Sequence, residues 1–187
     1  MASSTTTDRL KELLPELFSD QNIQGDSYLR LRLNPELSAL INLNQVQESL
    51  VIPSREITTI PNVPEYVLGL MTSRGEVFLA LDLAHMIGLP PEIVNCRQYQ
   101  VIVIKTSFAE EATTLASEQS DNPSFLGLVV NRILGVSRII SDDFESLNRE
   151  IPDPLIPFVQ SSVRQQDNQY LLLDIKSLIA NKISKNN

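Results

Sequence analysis

From Tyr28 onward the chain is cut into short apolar runs, punctuated at short intervals by proline, glycine or asparagine. The first run, YLRLRL, puts Leu29, Leu31 and Leu33 on one face and Arg30 and Arg32 on the other, as in a strand buried on one side. Further strands are expected at 38–44, 47–52, 67–71, 77–83, 99–106, 125–130, 136–140, 158–165 and 170–173. Strands this short and this numerous, with few helices between them, restrict the fold to barrels or a sandwich.

The punctuation is specific. Asn34-Pro35-Glu36 and Pro53-Ser54 end strands, and Pro61 and Pro64 hold an extended connection because each proline drives its predecessor out of the α region. Thr72-Ser73-Arg74-Gly75 has the length of a hairpin connection, with Gly75 available for positive φ. A helical turn or two is expected over 84–89, with Asp82 as its cap, before Pro90-Pro91 stops it. Residues 175–183 read as an amphipathic helix.

Two segments fall outside this pattern. Residues 1–25 form an N-terminal extension, polar at first and then carrying Leu10, Leu13, Leu14 and Leu17 at helical spacing, with Pro15 shortening or kinking the helix. Residues 107–124 hold Glu110, Glu111, Glu118 and Asp121 with no lysine or arginine, which predicts an acidic loop. The remaining 26–187 would be one domain. Blocks of strand, strand, turn, strand flank Pro90-Pro91 without a clear internal repeat, and two small barrels sharing a core fit the length.

Composition narrows the function. A net charge of −8, with fifteen Lys and Arg spread along the chain, disfavours nucleic acid and anionic membranes as partners. The single Cys96 cannot form an intramolecular disulfide, which fits a reducing cytoplasm, and the N-terminus lacks the pattern of a signal peptide. No apolar run is long enough for membrane insertion.

Catalytic readings are thin. Any Ser-His-Asp set must use His85, the one histidine, and Gly135-Val136-Ser137-Arg138-Ile139 lacks the final glycine of a nucleophile elbow. Asp82 and His85 are two metal ligands where a stable site wants three or four. The six glycines are too scattered to cradle phosphates, and Glu110-Glu111 and Asp142-Asp143 read as solvated surface. No cofactor is expected. What remains is Arg74-Gly75 and Val46-Gln47-Glu48, where Glu48 and Arg74 would form an ion pair if their strands are neighbours.

Five stretches in order, YLRLRLNPELSALINLNQVQES, ITTIPNVPEYVLGLMTSRGEVFLALDL, QYQVIVIKT, FLGLVVNRILGV and YLLLDIKSLI, resemble the CheW family of chemotaxis adaptors. The second carries the most specific block, I-x-x-x-P-x-x-P-x-x-x-x-G followed by R-G, an apolar run and D-L. The resemblance implies a mainly β fold of two intertwined five-stranded SH3-like barrels sharing an apolar core, with a C-terminal helix and no catalysis. It also implies two partners, the cytoplasmic tip of a chemoreceptor and the regulatory domain of a CheA-like histidine kinase, in cytoplasmic arrays at the inner membrane.

Carried over by position, Val46, Gln47 and Glu48 match the V-Q-E of the family's receptor-facing groove, Gly69 the glycine before the hairpin, and Arg74 and Gly75 the R-G. Gly69 and Gly75 would permit positive φ or close approach of a partner helix. Two departures stand out: Val130-Asn131 where the family commonly has V-D, and the long acidic segment before Phe125. Rival readings are a barrel that binds a small ligand in its core and a hydrolase built on Ser137 and His85.

Overall fold

A computed structural model describes residues 25–91, 93, 96–106, 124–147, 151–165 and 168–183. Most of the N-terminal extension and of the acidic segment lies outside the described residues. Among the described residues there are ten strands: β1 (Asp26–Arg32), β2 (Ser38–Asn42), β3 (Val46–Pro53), β4 (Val67–Ser73), β5 (Glu76–Asp82), β6 (Gln98–Thr106), β7 (Ser124–Val130), β8 (Arg132–Ile139), β9 (Val159–Gln165) and β10 (Asn168–Leu173). Helix α1 (Leu83–Met86) follows β5, and α2 (Ile175–Ile183) follows β10.

The strands form two five-stranded sheets, ordered β8-β1-β2-β10-β9 and β3-β6-β7-β5-β4. In the second, the chain just beyond β3 bridges Thr58 to Leu70 of β4, joining the outermost strands and closing a barrel. In the first, Glu145 beyond β8 bridges Ser162 of β9 in the same way. Closure removes the free edges on which another chain could pair.

The two barrels share one wiring diagram. Replacing each strand of the first order by the strand five places away converts it into the second, so each half of the chain gives two strands to one barrel and three to the other. The correspondence extends to single residues. β5 pairs β7 in parallel, Leu79 with Leu126, as β10 pairs β2, Leu171 with Ala39. Leu81-Asp82-Leu83 therefore matches Leu173-Asp174-Ile175, and each aspartate caps the helix after it, accepting from the backbone N–H of His85 and of Ser177, both at 3.1 Å. The repeat the sequence concealed is thus a repeat of topology.

Among the described residues, three apolar clusters hold the body. Ile52, Met71, Phe78, Val101, Val103 and Val129 fill the second barrel. Tyr28, Leu40, Ile139, Val163 and Tyr170 fill the first. Between them lies the largest cluster, in which Leu31, Ile41, Leu81, Ile102, Ile104 and Leu128 are essentially inaccessible. Alternate residues of the inner strands feed different clusters, so these strands are apolar on both faces; burying such side chains stabilises by roughly 1.5–3 kcal/mol each.

Several expected boundaries move. The strand expected over 38–44 stops at Asn42, whose side chain accepts from the N–H of Asn44 at 2.9 Å and starts a 3₁₀ turn, Leu43–Gln45. The strand expected from 136 begins at Arg132, and Phe158 ends a 3₁₀ segment instead of opening β9. The hairpin connection shortens to Arg74-Gly75, because Ser73 and Glu76 pair. Arg30 and Arg32 do not form a solvent face. Their side of β1 is that of Tyr28, which fills the first barrel, and both are half-buried.

Candidate functional site

β3 starts with an irregular register: Val46 pairs with Ile104, yet Glu48 pairs with Val103, leaving Gln47 as the extra residue of a bulge. The bulge decides where Glu48 points. Regular alternation would keep Glu48 on the face of Val46, which packs against the shared core. The inserted residue turns it to the side of Val103, which lines the second barrel, and so brings the carboxylate to the barrel's end. Gln47 is left exposed.

The β4-β5 hairpin reaches the same place from the other end of the sheet. Arg74 and Gly75 have φ of 49° and 84°, the two positive values of a turn whose twist suits an antiparallel pair. Gly75 is needed for that backbone alone, since a Cβ there would meet nothing within 4 Å. Arg74 has a Cβ in the left-handed region, a conformation costing about 1–2 kcal/mol.

Glu48 accepts from both residues at the end of the hairpin. The Ser73 hydroxyl donates to Oε1 at 2.8 Å and the Arg74 Nε to Oε2 at 2.8 Å. β3 and β4 are thus the outermost strands of their sheet, joined here by side chains and farther along by the Thr58–Leu70 bridge. The Glu48 side chain is 12% exposed and that of Arg74 71%, so the carboxylate is sheltered while the cation stands in solvent. Val77, just past the turn, is 64% exposed and sets an apolar surface beside it. A fixed cation next to an uncovered apolar side chain is suited to holding a protein partner.

Of the six residues singled out by sequence, Val46, Gln47, Glu48, Arg74 and Gly75 come together at this end of the barrel. Gly69 does not. It lies farther back on β4, buried, with φ of 145°, and a Cβ on it would strike the carbonyl oxygen of Thr58. Its bareness serves the chain's own closure. Ser73 was missed by sequence reasoning; only its place directly before a two-residue turn could have marked it.

The residues of the rival readings are scattered. Asp82 is buried as the cap of α1, and burial pushes its carboxyl above the usual range against the opposing N–H bonds of His85 and Ala84. His85 stands 3.8 Å from Glu65, whereas Ser137 is on β8 in the other barrel. Among the described residues no group of three or more His, Cys, Asp or Glu is placed to hold a metal ion, and no helix is long and apolar enough to cross a membrane. Among the described residues both barrel interiors are filled by side chains, and a depression lined by Tyr28, Asn42 and Gln45 is partly open to solvent.

A family model of the CheW-like domain matches residues 27–182. Among solved structures, the scaffolding protein TtCheW from Thermoanaerobacter tengcongensis is similar, with a TM-score of 0.63 and 18% identity over 83% of this chain and 93% of that one. A search of curated proteins finds no match.

Proposed function

The chain belongs to the CheW-like domain family, and from that premise we propose that it is a non-catalytic adaptor joining the cytoplasmic tip of a chemoreceptor to the regulatory domain of a CheA-like histidine kinase. The observation that carries this reading is the end of the second barrel. Glu48 is sheltered, doubly bonded and able to fix Arg74, while Arg74 remains open to a partner. Energy spent on holding the cation beforehand need not be spent on binding.

The receptor would dock over Val46, Gln47, Glu48, Arg74 and Gly75, in cytoplasmic arrays serving chemotaxis, phototaxis or twitching motility. Coupling then requires that the joined assembly bind one state of the kinase better than the other, since only differential affinity shifts a conformational balance. The test is Arg74→Glu in a reconstituted mixture of receptor fragment, adaptor and kinase. Receptor-dependent control of phosphorylation should fall by tenfold or more with the adaptor still folded. Control equal to wild type would remove the site assignment.

A further inference from the structure

The first barrel has an end equivalent to the one just described, and it is built differently. Superposing the pairings Gly135 with Arg30 and Glu48 with Val103 makes Gly135 the counterpart of Glu48. The bulge is matched as well: the register of β8 jumps between Gly135 and Ile133, leaving Leu134 where β3 has Gln47. Where the second barrel holds a carboxylate, the first therefore has no side chain at all.

Around that bare position stand three arginines. Arg30 and Arg32 are alternate residues of β1, on one face and about 6.5–7 Å apart. Arg132 is directly opposite Arg32 in the β1-β8 register. Like charges in directly opposite positions destabilise a sheet. Arg30 reaches over the glycine, for a Cβ built on Gly135 would lie 3.9 Å from its Nη2. The Nε atoms of Arg30 and Arg32 are both buried without a hydrogen-bond partner, a state that proteins rarely leave uncorrected.

Nothing among the described residues neutralises the cluster. The β2 residues opposite Arg30 and Arg32 are Leu40 and Ser38, and Glu36, in the turn after β1, forms no ion pair with any of the three. In a chain of net charge −8, three adjacent guanidinium groups, two of them with a buried and unpartnered Nε, form a site suited to a carboxylate.

We propose that this end of the first barrel is a second docking site, which receives an acidic side chain from a protein partner, its carboxylate taking over Gly135 the position that Glu48 occupies in the second barrel. The absent Cβ leaves room for the incoming group, and the forks of Arg30 and Arg132 hold it from two strands. The inference rests on the adaptor reading for the partner being a protein, but it uses none of the residues around Arg74.

The experiment uses the full chain and a fluorescein-labelled peptide of alternating glutamate and serine, its glutamine counterpart, and inorganic phosphate. Fluorescence polarisation should show the glutamate peptide bound and the glutamine peptide not. Arg30→Gln/Arg132→Gln should weaken binding at least tenfold, whereas Arg74→Gln should change it less than twofold. In the wild-type chain, amide shift changes on titration should centre on Arg132 and Gly135, a readout independent of how the variants fold.

No binding by wild type, equal binding by the double variant, or shifts centred on Gly75 would overturn the proposal. Displacement of the peptide by millimolar phosphate, lost in the same variant, would make the site one for a free oxyanion and overturn docking. Receptor control through Arg74 is measured separately, so either reading can fail while the other stands.

Discussion

Arg74 carries two opposing contributions that a single substitution can separate. Its left-handed backbone costs about 1–2 kcal/mol relative to glycine, which adopts that region freely. Its pairing with Glu48 offsets this, but with the arginine side chain 71% exposed the pair contributes no more than about 0–1 kcal/mol. Arg74→Gly should therefore leave stability within about 1 kcal/mol of wild type, a shift of no more than about 2–4 °C in Tm for a domain of this size. In a Glu48→Gln background, where the ion pair is already gone, the same change should stabilise by about 1 kcal/mol. Urea denaturation of the four proteins, read as midpoints at constant m, gives the coupling between the residues directly. The glycine variant should also lose receptor binding, since it lacks the cation. A loss above about 2 kcal/mol from Arg74→Gly alone would show that the pair, and not the turn, dominates this hairpin and would refute the reasoning.

Gly69→Ala should destabilise by about 2–3 kcal/mol or more in the same assay, because a Cβ meets the Thr58 carbonyl at a φ that disfavours it; a near-neutral result would mean that the closure of the second barrel yields easily. The two capping aspartates should respond oppositely to pH. Burial raises the Asp82 carboxyl, so the stability it contributes is fully present below the ordinary carboxylate range and is lost as pH rises through its raised value. Asp82→Asn keeps an acceptor for the His85 N–H and should match or exceed wild type at pH 7 in thermal melts, the gain shrinking toward pH 3. Burial also pulls Asp174 upward, but bonds from the Ser177 hydroxyl and N–H, Gln160 and the Lys176 N–H outweigh it and hold the carboxyl low. Its contribution is present above the ordinary range and lost as pH falls through the lowered value, so Asp174→Asn should be less stable at pH 7, with the gap closing in acid.

Much of this was legible in the sequence. Short apolar runs bounded by turn residues located the ten strands because each has at least one face in an apolar cluster, and the Asp82 cap followed from residue type and position. The meeting of Glu48 with Arg74 was anticipated for strands lying side by side. They meet instead across a barrel closure, which no local pattern encodes. The bulge at Gln47 was invisible for a related reason: one inserted residue reverses which face Glu48 occupies, and only the partner strand reveals the insertion. Arg30 and Arg32 misled for the opposite cause, since charged alternation ordinarily marks a wet face and here it marks the end of a barrel.

The exchange of strands between halves also fixes an order of events during synthesis. β1 and β2 leave the ribosome as a lone hairpin, with apolar side chains on both surfaces, and the other members of their sheet, β8, β9 and β10, are made from Arg132 onward. The second barrel, by contrast, has all its strands once Val130 is translated. The nascent chain therefore carries one completed half and one sticky, waiting half, and the interval between them, set by elongation at about 5–20 residues per second, is when it most needs a chaperone.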